Sequence, residues 1–224
     1  LKKGVDILTE VGGVKTIADA RAVLEQKLDA VNREKLAPIT NEEALIKVAA
    51  AINMCEPDDV FVNTGSPDDV DWIRKYALER GEEKPLAKPG HTIHFDLPQD
   101  QARLVNQTFY IINDDEKISA LAKKVVRQEG LEYVQTHMKG IMKGMIMMVG
   151  FYTRGPAGAY ATTPAIEISS SAYVLHSAEL LYRNCYDAFD GEVERRGLFF
   201  TNVHSQGPNR PENVPDARDR KSVV

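Results

Sequence analysis

The sequence predicts an α/β fold, a single domain with a mixed sheet flanked by helices, and three observations carry that prediction. Short β-branched or apolar runs alternate with segments whose apolar residues recur every three or four positions. Glycine, proline and capping residues punctuate the joints between them. One run, residues 145–152 (Met-Ile-Met-Met-Val-Gly-Phe-Tyr), is apolar without alternation, as expected of a strand buried on both faces.

Taken in order, Ile17, Ala20, Leu24, Leu28 and Val31 form one helical stripe that Pro38 ends. Thr40 and Glu43 offer a capping box for a helix burying Leu45, Val48, Ala49 and Ile52. Residues 59–63 read as a strand stopped by Thr64-Gly65. Ser66-Pro67-Asp68-Asp69 then starts a helix with a capping hydroxyl, proline at the first position and carboxylates in the first turn. That helix presents Val70, Trp72, Ile73 and Ala77 and stops at Gly81. A Lys/Glu/Pro-rich link leads to a strand at 91–95. Further strands are expected at 108–112 and 164–168, with helices over 114–128 (Ile118, Leu121, Val125 and Val126 inward) and 172–189 (capped by Ser171). The stretch 206–220 is Pro, Asn, Asp and Arg, hence linker or loop, and Val223-Val224 resembles the opening of a strand.

Composition excludes several classes of function. At 224 residues, 43% hydrophobic, the chain is long enough to bury about 70% of its unfolded surface. No apolar run approaches the roughly 20 residues of a transmembrane helix, and no secretory leader is visible. Cys55 and Cys185 lie far apart with no CxxC or Cys/His grouping, which argues against a zinc ribbon or disulfide scaffold and fits the cytoplasm. A net charge of −5 leaves no pool of cations for nucleic acid.

Candidate chemistry is sparse. Gly155-Pro156-Ala157-Gly158 follows a strand, where a phosphate loop would sit, but it lacks the Gly-Lys-Ser/Thr ending; a tight turn needing glycine backbone angles accounts for it better. His91 and His94, three apart on a strand, point to opposite faces and cannot share a metal. His137, His176 and His204 have no ligand-spaced partner. The methionines at 138, 142, 145, 147 and 148 read as core packing rather than a soft-metal site, and Cys185 as a small buried hydrophobe. Acidic pairs (58–59, 68–69, 114–115) sit at strand or helix starts. Arg103 follows Leu97-Pro98-Gln99-Asp100-Gln101-Ala102 between two strands. It is placed either to project a planar fork into a cleft and bind a carboxylate, or simply to lie on the surface; spacing alone favours the surface.

Several of these segments, in register, resemble the amino-terminal domain of the GTP-dependent phosphoenolpyruvate carboxykinases. They are Cys55-Glu56-Pro57-Asp58 through Gly65-Ser66, Pro98 to Arg103 with the strand from Thr108, Met142-Lys143-Gly144 through Gly155-Pro156-Ala157-Gly158, Ile166-Glu167-Ile168 with Ser171 and Tyr173-Val174, and His204-Ser205 with Gly207. The resemblance covers residues 50–207 and implies an enzyme converting oxaloacetate and GTP into phosphoenolpyruvate, carbon dioxide and GDP with Mn2+ or Mg2+. It implies no cofactor on this segment, because the nucleotide loop, metal ligands and catalytic lysines belong to a carboxy-terminal domain. Arg103, closing the Pro-x-Asp-x-Ala-Arg pattern, is the implied substrate-binding residue. Val105 departs from the pattern where an acid is usual, as do Leu97 and Ser170. A pyrophosphate-dependent relative and a stand-alone carboxylate-binding domain are the alternatives. The expected organisation is a helical extension over 1–54, the carboxykinase-like domain over 55–207, and a linker over 208–224 toward a missing nucleotide-binding domain, both ends of the chain looking cut.

Overall fold

The computed structural model describes residues 5–95 and 108–205, together with the backbone of 221–223. Arg103, the one substrate-binding residue the sequence singles out, lies outside the described residues.

Four helices come first: α1 (Ile7–Gly12), α2 (Ile17–Lys27), α3 (Ala30–Leu36) and α4 (Glu42–Cys55). Each is capped by the side chain before it, Asp6, Thr16, Asp29 and Asn41 accepting from a backbone amide three residues on. The single helical stripe expected to run through Val31 is therefore two helices, because Leu28 is extended and Asp29 restarts the chain. Asn41 rather than Thr40 caps α4; Thr40 instead gives its amide and hydroxyl to Asp190, 150 residues away.

Strand β1 (Asp59–Asn63) and helix α5 (Pro67–Glu79) fall where the sequence places them, the helix starting on the Ser66 hydroxyl with Pro67 in its first turn. The strand expected at 91–95 contracts to β3 (Thr92–Ile93), an antiparallel partner of β2 (Lys84–Pro85). The helix expected over 114–128 does not form. Asn113 and Glu116 close a turn, Leu121 is 97% exposed, and the β-branched pair Val125-Val126 joins β5 (Lys124–Val126), parallel to β4 (Tyr110–Ile112). The helix in this region is α6 (Arg127–Met138), which buries Gly130, Val134 and Met138 at fourfold spacing.

The principal sheet runs β1, β6 (Ile146–Arg154), β7 (Thr163–Ser169), β9 (Phe200–Ser205), β10 (Lys221–Val223), with β8 (Arg183–Asn184) pairing the end of β6. β1 is parallel to β6, and β7 to β9; the other pairs are antiparallel. The expected helix over 172–189 divides into α7 (Ala172–Leu181) and α8 (Phe189–Arg196), because Asn184 pairs with Tyr152 and the Cys185 amide bonds Phe151.

The central strand β6 is buried on both faces, and its period of two divides the core. Met147, Val149 and Phe151, with Val60, Val62, Ile166, Ile168 and Val203, face α1, α2, α3, α4, α6 and α8. Met148 and Tyr152 face α5 and α7. The adjacent methionines 147 and 148 thus serve opposite cores. Among the described residues, no helix is long and apolar enough to cross a membrane.

Candidate functional site

The second face of the sheet, the one under α5 and α7, carries the polar groups. At its β1 edge the Asn63 amide donates to the Tyr152 hydroxyl at 2.9 Å and to Glu179 at 2.5 Å, and Tyr152 donates to the same carboxylate oxygen at 2.8 Å. Asn63 and Tyr152 are fully buried, so these bonds offset the cost of taking amide and phenol out of water. Burial, then the Glu179 charge, pushes the Tyr152 hydroxyl far up, so it stays protonated and serves as a donor. Space for its ring comes from Gly150, where a Cβ would stand 2.5 Å from the tyrosine.

Beside it, Glu167 is set in an otherwise apolar strand and is only 3% exposed. Asn202, opposite it on β9, donates at 2.5 Å; His204 Nε2 stands at 3.4 Å and Arg154 Nη2 at 3.7 Å. Arg154 also lies over the Tyr182 ring at 5.3 Å. Above α7, Glu82 accepts from the Ser171 hydroxyl and the Tyr173 amide at the helix start, while Glu83 pairs with buried His176 at 2.6 Å. His94 stacks on Tyr173 and bonds the Glu82 carbonyl, which pins the β2–β3 hairpin to the same helix end.

The other segments singled out by sequence have structural employment. The Gly155–Gly158 turn uses left-handed or related angles at both glycines (φ 113° and 80°). Its Gly158 amide is spent on Glu192 at 2.7 Å, whose carboxyl is held below the usual range by Arg195 and by that amide. The amide is therefore occupied by a protein carboxylate where a phosphate loop would leave it free. Cys55 and Met142 meet through a backbone bond of 2.9 Å, and Gly144 donates to Asp58 at 2.9 Å. Glu56, held at φ 51°, pairs with Lys143 at 2.7 Å across an open hollow of about 530 Å3 whose lysines and acids offset one another. His91 and His137 bond nearby carbonyls on the surface. Cys185 is buried beside the short β8 rather than inside a helix. Among the described residues, no group of three or more His, Cys, Asp or Glu side chains is arranged to hold a metal ion, so no ligand for the implied divalent metal is assigned here.

His204 and His176 are isolated in sequence, and the fold supplies each with a buried carboxylate. Sequence patterning does not single out Glu167, Asn202, Arg154 or the Asn63–Tyr152–Glu179 network as sites. One signal was available: a charge between two isoleucines, Ile166-Glu167-Ile168, must be partnered if the strand is buried.

Comparison with known proteins is consistent with this architecture. The family model described as "Phosphoenolpyruvate carboxykinase N-terminal domain" matches residues 47–224. The chain is 41% identical over 184 residues to a protein of Thermococcus kodakarensis named "Phosphoenolpyruvate carboxykinase [GTP]", covering 82% of this chain and 29% of that one. A protein of Saccharolobus solfataricus with the same name is 39% identical over 191 residues, 85% of this chain and 30% of its own. A Corynebacterium kroppenstedtii protein so named is 29% identical over 177 residues, 76% of this chain and 28% of its own. The chain thus spans about 30% of the length of the curated relatives it matches. With four-fifths of its residues under that description, the chain belongs to the phosphoenolpyruvate carboxykinase N-terminal domain family.

Proposed function

We propose that this chain is the substrate-recognition domain of a GTP-dependent phosphoenolpyruvate carboxykinase of the cytoplasm, inactive without the remainder of the enzyme. The observation that carries the reading is the match to the family's N-terminal domain, together with relatives near 40% identity named as GTP enzymes. In the reaction, the bond from C3 of oxaloacetate to its carboxylate breaks, carbon dioxide leaves, and the electron pair forms an enolate. The enolate oxygen then takes the γ-phosphoryl group of GTP and GDP departs. Arg103 holds a substrate carboxylate: its planar fork matches that group bidentately, so the acid is fixed while the neighbouring bond breaks. The phosphate-donor site and the divalent metal, Mn2+ or Mg2+, fall to the carboxy-terminal domain, the partner of this one.

The intact enzyme tests this. Arg103→Ala raises the KM for oxaloacetate and phosphoenolpyruvate about 10- to 100-fold, the range for losing charge-assisted hydrogen bonds, and leaves the KM for GTP alone. Unchanged saturation by both acids refutes the role of Arg103. Turnover with pyrophosphate and none with GTP moves the donor, and binding of oxaloacetate with no turnover on either donor makes the domain a carboxylate binder.

A further inference from the structure

Arg154 closes β6, and its side chain is directed back along the second face of the sheet toward Glu167. The register explains how it reaches. Arg154 is opposite Thr163 on β7, Glu167 lies four residues further along that strand, and the residue between them on the same face is Ala165, small enough to be crossed. The guanidinium ends with its Cζ 5.3 Å from the Tyr182 ring centroid and one nitrogen 3.7 Å from the Glu167 carboxylate.

Three features separate this arginine from an ordinary surface ion pair. Its anchor is a carboxyl group held in place: Glu167 is 3% exposed and already bonded by Asn202 at 2.5 Å, with His204 on its second oxygen at 3.4 Å. The 3.7 Å separation exceeds hydrogen-bond distance, so Glu167 orients the guanidinium without consuming its donors. Half the side chain (48%) faces solvent, and among the described residues no protein acceptor lies within hydrogen-bond distance of it. In the same cluster Oδ1 of Asn202, a residue 3% exposed, is buried and has no donor among the described residues.

We propose that Arg154 is a second anion-holding guanidinium of this domain, preset by Glu167 and Tyr182 to take the carboxylate or phosphate of a small acid, with a bound water satisfying Asn202 Oδ1 in the same cluster. Resting on the function proposed above, the acid is the substrate. Arg154 touches the ligand; Glu167 is a positioning residue that acts through it. Lysine keeps the charge but lacks the planar fork, so it restores only part of the binding.

The test uses the full-length enzyme. Arg154→Gln is expected to raise the KM for oxaloacetate and phosphoenolpyruvate about 10- to 100-fold with the KM for GTP unchanged, Arg154→Lys to recover part of that loss, and Glu167→Gln to follow Arg154→Gln in direction but not in size. Thermal midpoints within a few degrees of the parent show that the variants fold. Acid KM values within twofold of the parent for both Arg154 variants overturn the proposal and leave the carboxykinase reading standing. If the parent enzyme shows no carboxykinase turnover, that reading fails instead, and calorimetric titration with phosphoenolpyruvate still decides this one: weaker binding by Arg154→Gln than by the parent supports it, and equal binding overturns it.

Discussion

On the first face of the sheet, Val60, Val62, Met147, Val149, Phe151, Ile166, Ile168 and Val203 meet six helices through apolar side chains. On the second face, two helices cover a shorter apolar patch, and the strands beside it carry Asn63, Tyr152, Glu167, Asn202 and His204. The same strands supply both faces, since neighbouring residues point opposite ways. The difference teaches where stability and directional geometry are invested. Apolar burial is non-directional and scales with area, so the first face tolerates no chemistry and needs none. Hydrogen-bonded polar groups add little net stability but fix donors and acceptors in space.

The comparison breaks first at Phe151. It is fully buried and packs edge-on to Phe189, so Phe151→Ala removes core and leaves a cavity. The expected loss is about 3–5 kcal/mol in urea unfolding. A loss under 1 kcal/mol removes the claim that the first face holds the fold. The matching change on the other face is Tyr152→Phe, which deletes the hydroxyl between Asn63 and Glu179 and keeps the ring. It costs about 1–2 kcal/mol, because Glu179 retains Asn63.

A smaller effect sharpens the contrast through pH. Burial pushes the Asp69 carboxyl up, but the Lys35 ammonium and the Thr64 hydroxyl and amide outweigh burial and hold it below its ordinary 3.8. A carboxylate whose folded pKa lies below the unfolded one adds stability above pH 3.8 and loses it as pH falls through the folded value. Asp69→Asn is therefore about 1 kcal/mol less stable than the parent at pH 7. That gap narrows below pH 3.8, read from thermal midpoints across a pH series. A gap independent of pH refutes the assignment.

The architecture was legible where local and tertiary signals agree. Ser66-Pro67-Asp68-Asp69 specifies a helix start by itself, and the unbroken apolar run at 145–152 specifies a strand with two covered faces. It was illegible where they conflict. Ile118, Leu121 and Val125 have helical spacing, yet Val125 is taken into a strand beside Ile111 and Leu121 stays in water at 97% exposure. Period alone says nothing about whether a partner exists. The polar face was harder to read for a related reason. Arg154, Glu167 and Asn202 come from three neighbouring strands, β6, β7 and β9, separated along the chain by α7, β8 and α8, so register rather than local sequence assembles them. Arg103 is the reverse case, readable only through the family pattern.

The first core has a practical corollary for anyone preparing this domain. The family match begins at residue 47, inside α4, yet Leu8, Ala20, Leu24 and Leu36 from the preceding helices pack in the same cluster as Val149 and Phe151. Gly12 is pressed so closely against Ala50 that a methyl group there would stand 2.3 Å from its carbonyl oxygen. A recombinant piece trimmed to the family boundary would cut α4 part way through its first two turns and lay that oily surface bare to solvent. For expression, the useful start lies before α1, some forty residues upstream of the family boundary.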